Sequence, residues 1–113
     1  MKYPEAPLLP PNRLAESVSL GGKLVRLRQA RRMRQADAAA RAGLSRSTAV
    51  LIERGDPGRT LAQILRYLEA IAPGLSLLGL QTDADPSLQA LTQSEATQRV
   101  RPLSPRQLAE LDF

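Results

Sequence analysis

The sequence predicts an all-α domain built from four or five short helices. Apolar residues recur at helical spacing in several stretches of the chain. The apolar share is 42% but the aromatic share only 3%, so leucine and alanine must supply the core, a composition that suits small packed helices. At 113 residues, the chain is long enough for one modest core.

The N-terminal part combines a proline-rich stretch with a first helix. Four prolines among the first eleven residues favour an irregular arm over residues 1–18, because proline fixes φ and lacks a backbone donor. The first helix is expected at about residues 21–32. Its apolar stripe consists of Leu20, Leu24, Leu27 and Met33.

Two short helices joined by a glycine turn are expected next. The first is alanine-rich, spans Gln35 to Ala42, and stops at Gly43, a residue that readily takes the left-handed conformation at a helix end. Ser45 can cap the following helix, which Gly55 ends. Such a pair with so tight a connection is typical of a helix-turn-helix motif.

The fourth helix has the clearest amphipathic pattern in the chain. It is expected to begin after Thr60, a capping residue, and to run to Ala72, where Pro73 and Gly74 stop it. Its predicted apolar face contains Leu61, Ile64, Leu65, Leu68 and Ile71.

The C-terminal part is less regular. Residues 74–82 are leucine-rich and are expected to form the dimerisation segment, as either a strand or a helical turn, within a domain covering residues 19–82. Its candidate contact residues are Leu75, Leu77, Leu78 and Leu80. In the tail, residues 83–113, short helices are expected to open at Asp85-Pro86 and at Ser104-Pro105.

Charge and composition narrow the function. Residues 21–60 contain ten Lys/Arg against three acidic residues, whereas the whole chain carries +5. A basic block of this kind is typical of nucleic-acid binding, because cations replace the counterions around phosphates, although a solvated basic helix face would look the same. The chain has no cysteine and no histidine, which removes disulfides, thiolate metal sites and the usual general base.

The remaining function classes are poorly supported. We expect no enzymatic activity, no cofactor and no metal, since the acidic residues show no catalytic or metal-ligand spacing and no glycine-rich phosphate loop is present. No apolar run approaches the length needed to cross a membrane. We therefore expect a soluble cytoplasmic protein that joins the nucleoid when it binds DNA.

The third helix carries the candidate DNA-reading residues. In a helix-turn-helix, the N-terminal residues of the second helix of the pair meet base edges in the major groove. Arginine pairs well with guanine, hydroxyls with several bases, and apolar side chains with the thymine methyl. The expected base contacts are Arg46, Ser47, Val50 and Leu51, with Ala49 and Ile52 facing the core.

The segment of residues 19–72 resembles the XRE family of helix-turn-helix regulators, which have the fold of the lambda-type phage repressors. The matching residues are Leu24, Leu27, Arg28, Gln35, Ala39, Gly43, Leu44, Ser45, Ser47, Ile52, Glu53, Arg54, Gly55, Leu61 and Leu65. The chain departs from the family pattern at Ala38 and Ala49, where larger aliphatic residues are usual, and at Arg32, where glycine is common.

The resemblance implies roles for several residues. Arg28 and Glu53 correspond to a structural ion pair between the first and third helices, and Gln35 to a phosphate-binding glutamine at the start of the second helix. The full set of expected DNA phosphate contacts is Arg34, Gln35, Ser45, Thr48, Arg54 and Arg59.

The leading hypothesis is a repressor that binds a palindromic operator on double-stranded DNA as a homodimer, through the helix starting at Ser45. The size of the chain also resembles that of HipB-like antitoxins, which suggests that residues 83–113 bind a toxin protein. The competing interpretation is that this tail is disordered or packs on its own domain. The alternative function is a protein-interaction adaptor that binds DNA only non-specifically.

Overall fold

The computed structural model describes residues 6–82 and 86–99 of the chain. A short 3-10 turn at Ala6–Leu8 precedes the helices α1 Pro11–Ala30, α2 Gln35–Ala42, α3 Arg46–Arg54, α4 Leu61–Ile71, α5 Leu77–Gln81 and α6 Pro86–Arg99. These residues contain no strand. The prediction of an all-α fold is confirmed.

Helix α1 begins ten residues earlier than the sequence pattern suggested. Pro11 occupies its first turn, where the missing N–H is not needed and the fixed φ suits a helix. The inward face continues through the half-buried Leu14 and Ser17 to the buried Gly21. The prediction that the irregular arm extends to residue 18 is therefore wrong for residues 11–18, and residues 1–5 lie outside the described part.

The helices α2 and α3 have the bounds expected from the sequence. Gly43 ends α2 with φ 69° and Gly55 ends α3 with φ 78°, and both angles lie in the region that glycine tolerates best. Ser45 caps α3, because its hydroxyl accepts a hydrogen bond from the Thr48 backbone N–H at 3.1 Å. The left-handed Gly43 and the Ser45 cap thus allow α3 to begin four residues after the end of α2.

Helix α4 presents only part of its predicted apolar face to the core, where Ile64 packs alongside the buried Leu68 and Ile71. Its start has the expected cap at Thr60, reinforced by a reciprocal hydrogen bond with Gln63. Tyr67, with Leu68 and Ile71, is buried, whereas Leu61 is 61% exposed and Leu65 is 42% exposed. The placement of Leu61 and Leu65 on the core face is wrong, because the helix is rotated so that the Tyr67 hydroxyl meets a buried carboxylate on α3.

The leucine-rich segment after α4 is helical, so the strand alternative is wrong for this chain. The Ser76 hydroxyl caps α5 by accepting from the Gly79 N–H at 2.8 Å. Leu80 is fully buried, and its backbone N–H donates to the Ser76 carbonyl at 2.9 Å. The Ser76 cap and the buried Leu80 therefore select a helix over a strand, a choice that the apolar periodicity leaves open.

The core is built from small residues where α2 packs on its neighbours. Four alanines of α2 and α3 are at most 6% exposed, namely Ala38, Ala39, Ala42 and Ala49. Met33 and Leu44 pack against this core as partly buried residues. Methyl groups here allow close helix packing, which leaves little freedom for α3 to shift.

Helix α6 lies against α1 and continues through a mostly polar second half. Leu88 is 3% exposed, and Arg26 pairs with Glu95 at 2.5 Å. The expected helix near residues 104–111 lies outside the described residues. Within the described part of the chain, the helices are too short or too polar to cross a membrane.

Candidate nucleic-acid interface

The first turn of α3 points polar side chains into solvent. Ser45, Arg46 and Ser47 are exposed and Thr48 is half-buried. The Ser45 hydroxyl lies 3.1 Å from the Ser47 hydroxyl and 2.9 Å from the Thr48 hydroxyl. Ser45 therefore organises the turn as its cap, while the Arg46 guanidinium has no hydrogen-bond or ionic partner among the described residues.

The two apolar candidates on α3 are less exposed than the front turn. Val50 and Leu51 are both half-buried, between the buried Ala49 and Ile52 of the inner face and the exposed Arg54. An apolar contact with a base would therefore use only the outer part of each side chain. The polar residues at the start of α3 remain the most accessible part of this helix.

The buried carboxylate of Glu53, near the end of α3, accepts hydrogen bonds from α1, α2 and α4. Glu53, whose side chain is 5% exposed, accepts from Arg28 Nε at 2.6 Å and from Arg28 Nη2 at 3.0 Å. The Tyr67 hydroxyl donates to the same carboxylate at 2.5 Å, and Gln35 Nε2 donates at 2.9 Å. We call these four residues the Glu53 network. The expected pair of Arg28 and Glu53 is thus brought together, with two further donors.

The ionisation of the Glu53 network follows from these contacts. Burial by itself raises the pKa of Glu53, but the hydrogen bonds from Arg28 and Tyr67 outweigh it, so the pKa lies below its ordinary value. The hydrogen bond to Glu53 raises the pKa of Arg28. Burial and the adjacent carboxylate raise the pKa of Tyr67. At neutral pH the network therefore holds one buried ion pair with a neutral tyrosine as additional donor.

The same network orients Gln35, the expected phosphate contact at the start of α2. One N–H of its side-chain amide is used by Glu53, while a second N–H remains for another acceptor. Arg34 stands at the N-cap position and makes no side-chain cap. The first backbone amides of α2 thus receive no hydrogen bond from the N-cap side chain, and an anion is favoured at such a helix start.

Unpaired cations surround the helix-turn-helix motif. Six arginines of this region have no ionic partner among residues 6–82 and 86–99, namely Arg32, Arg34, Arg41, Arg46, Arg54 and Arg59. The Nε atom of Arg59, in the loop before α4, is buried without a hydrogen-bond partner. By contrast, Arg13, Arg28 and Arg66 bind protein acceptors. The unneutralised charge thus lies mainly between the end of α1 and the start of α4.

The four candidate dimerisation leucines do not share one environment. Leu80 is part of the core and Leu75 and Leu77 pack against it, whereas Leu78 is 70% exposed. Leu80, and in part Leu75 and Leu77, therefore already have apolar partners within the domain.

Several residues that organise the site gave little sequence signal. Tyr67 stands within an apolar helix pattern, where its hydroxyl was the only indication of a polar partner. Arg66 donates to the carbonyls of Ala42 and Gly43 at 3.1 and 2.9 Å, and so satisfies the end of α2. Ser17 donates to the Gly55 carbonyl at 2.6 Å, which ties α1 to the end of α3.

Comparison with known proteins places this architecture in a family. A family model described as a helix-turn-helix domain matches residues 19–78, more than half of the 113-residue chain. No curated protein and no solved structure gave a match. The matched range contains α2, the Gly43 turn, α3 and the complete Glu53 network. The chain therefore belongs to the helix-turn-helix domain family, as a DNA-binding protein of the XRE-like kind.

Proposed function

We propose that this protein is a transcriptional repressor that binds a palindromic operator as a homodimer and regulates its own gene. The observation that carries the proposal is the exposed front turn of α3, where the Arg46 guanidinium has no partner among the described residues, close in sequence to the unpaired Arg34 and Arg54. A helix used only for packing would not require a solvent-facing arginine between two hydroxyls at its start. Such a surface favours DNA through both counterion release and base contacts.

The outward-facing side chains of α3 have separate proposed tasks in this complex. Arg46 reads guanine through its two parallel N–H donors, and Ser47 hydrogen-bonds to a neighbouring base edge. The outer parts of Val50 and Leu51 contact thymine methyl groups. Arg34, Gln35, Arg54 and Arg59 bind phosphates on either side, together with the hydroxyl groups of Ser45 and Thr48.

A homodimer follows from the size of the module. A single domain of this kind buries too little DNA surface for tight binding, and two-fold dimers read half-sites one helical turn apart. Leu78 supplies exposed apolar area next to the core, and Leu61 and Leu65 supply more on α4. The dimer contact proposed for residues 75–80 therefore relies on Leu78, while Leu75 and Leu77 contribute only the parts of their side chains that the core leaves exposed.

The first experiment is a DNA titration with the full chain. Purified protein is titrated against DNA from directly upstream of its own gene and against random DNA of equal length, each at two salt concentrations. A repressor binds its own DNA more tightly, and the preference survives added salt because base contacts do not depend on counterion release. Weak and equal binding that salt abolishes would instead favour an adaptor with only non-specific DNA affinity.

An antitoxin is a finer proposal for the same protein. The outer face of α6, from Thr92 to Gln98, is mostly exposed although the helix is held at Leu88, so this element offers surface beyond what the domain uses. The tail carries Leu103, Leu108, Leu111 and Phe113, which lie outside the described residues. We propose that α6 and the tail bind a toxin protein. Co-expression with the product of the adjacent gene tests this: growth inhibition relieved by the full chain but not by a variant ending at residue 82 supports it, and equal relief by both contradicts it.

A further inference from the structure

The turn between α1 and α2 contains an arginine in an unfavourable backbone conformation. Arg32 has φ 53° and is the one non-glycine residue with positive φ in the described chain. This conformation brings Cβ close to the carbonyl oxygen that follows and is costly for residues other than glycine. Arg32 is exposed, so core packing does not compensate for the cost.

The rest of the turn is also poorly stabilised by local interactions. Two residues later, Arg34 occupies the N-cap of α2 without a side-chain hydrogen bond, where serine, threonine or aspartate would satisfy a free amide. Both guanidinium groups are unpaired among the described residues, and cations beside a helix N-terminus oppose the helix dipole. Local stability alone therefore favours other residues at both positions.

The turn nevertheless has a fixed place in the domain. The carbonyl of Met33, between the two arginines, accepts from Arg28 Nη1 at 3.0 Å, and Arg28 pairs with Glu53 of α3. The turn is thus tied to the DNA-reading helix through the Glu53 network. In a docked helix-turn-helix, the first helix of the pair crosses the sugar-phosphate backbone, which brings the residues just before α2 to the phosphates.

We propose that Arg32 binds a DNA backbone phosphate, a contact additional to those already assigned and dependent on the proposed DNA-binding function. The left-handed backbone at Arg32 directs a cation to the phosphate at the expense of fold stability. Stability and DNA affinity should consequently respond to substitution in opposite directions. If Arg32 were only part of a solvated surface, its substitution would raise the stability without lowering the DNA affinity.

The experiment uses the full chain with Arg32→Gly, Arg32→Asn and Arg32→Lys. Glycine and asparagine tolerate positive φ and remove the charge, whereas lysine keeps both the charge and the strain. Thermal unfolding should shift upward by roughly 2–6 °C for Arg32→Gly, less for Arg32→Asn, and little for Arg32→Lys. Arg41→Gln is the matched control, because it removes an exposed and unpaired charge from the far end of α2.

DNA binding is then measured across a salt series on both upstream and random DNA. Each lost phosphate contact makes the fall of log K with log salt shallower by about 0.9, so a dimer that loses the contact in both subunits should show a slope about 1.8 less steep. We expect this change for Arg32→Gly and Arg32→Asn but not for Arg32→Lys or Arg41→Gln. An unchanged slope in the glycine and asparagine variants overturns the Arg32 contact while leaving the repressor proposal intact. A wild-type chain that binds no DNA overturns both, and a glycine variant less stable than the wild type overturns the strain argument.

Discussion

The contact between α1 and α3 leaves no room for a side chain at Gly21. A Cβ atom placed there would lie 2.6 Å from the Glu53 carbonyl oxygen, 2.6 Å from the Gly55 nitrogen and 2.8 Å from the Ile52 carbonyl oxygen. Ordinary contacts begin at 3.4 Å, and all three neighbours are backbone atoms that a rotamer change cannot move. Gly21→Ala must therefore push α1 away from α3 and stretch the hydrogen bond from Ser17 to the Gly55 carbonyl.

The adjacent Gly22 gives a matched control, because a Cβ there meets nothing within 4 Å. Both substitutions place alanine inside the same helix and gain about 0.5–1 kcal/mol of helix propensity. The propensity gain cancels between them, so the difference in unfolding free energy measures the steric cost alone, about 1–3 kcal/mol as for other overpacked sites. Gly22→Ala should be more stable than the wild type and Gly21→Ala less stable.

Urea unfolding followed by circular dichroism measures both variants, with thermal unfolding as a second measure. The expected difference corresponds to roughly 4–8 °C in Tm for each kcal/mol in a domain of this size. Equal stability of the two alanine variants would refute the close packing of α1 on the end of α3.

Three further predictions concern the Glu53 network and helix α3. Tyr67→Phe should lower the unfolding free energy by about 1.5–3 kcal/mol, because a buried carboxylate loses one charge-assisted hydrogen bond; unchanged stability in urea would mean that Arg28 and Gln35 satisfy Glu53 without it. Because the pKa of Glu53 is lowered in the folded state, its stabilisation is present above the ordinary glutamate pKa of about 4.3 and is lost as pH falls through the lower folded value. Tyr67→Phe removes one of the hydrogen bonds that lower the folded-state pKa, so the acid loss of stability should be smaller and should end at higher pH than in the wild type. Unfolding curves at several pH values would detect this, and superimposable acid limbs would argue against the hydrogen bond. Arg46→Ala should cost about 1–3 kcal/mol in operator binding and relax the preference at one base position; equal loss on operator and random DNA would exclude base reading by this residue.

Local chemistry made α2 and α3 predictable. Glycines at positions 43 and 55 and a serine at position 45 determine where these helices end and begin, and those signals depend only on neighbours along the chain. Helix α1 was less predictable because Pro11 is compatible with either an irregular arm or a first helical turn. Only the packing of Ser17 and Gly21 against the end of α3 selects the helix.

The rotation of α4 could not be derived from its own sequence. Five apolar positions suggested one face, yet Leu61 and Leu65 are exposed and Tyr67 is buried. The choice depends on a carboxylate on another helix, Glu53, which is fourteen residues away in sequence. The same limit applies to the candidate site: Arg46 and Ser47 follow from the motif, whereas the orientation of Gln35 follows from a three-dimensional contact.

The Glu53 network also bears on how the domain opens. Donors from α1, α2 and α4 converge on a carboxylate of α3, so fraying of any one helix leaves a buried charge with fewer partners, and such partial opening is costly. Amide hydrogens across these four helices should therefore exchange through a single cooperative opening rather than helix by helix. Helix α6 contacts this unit through Leu88 and a partly exposed ion pair between Arg26 and Glu95, and is expected to detach at a lower free energy. Helix α3 and the C-terminal helix α6 would then respond separately to heat, denaturant or a bound partner.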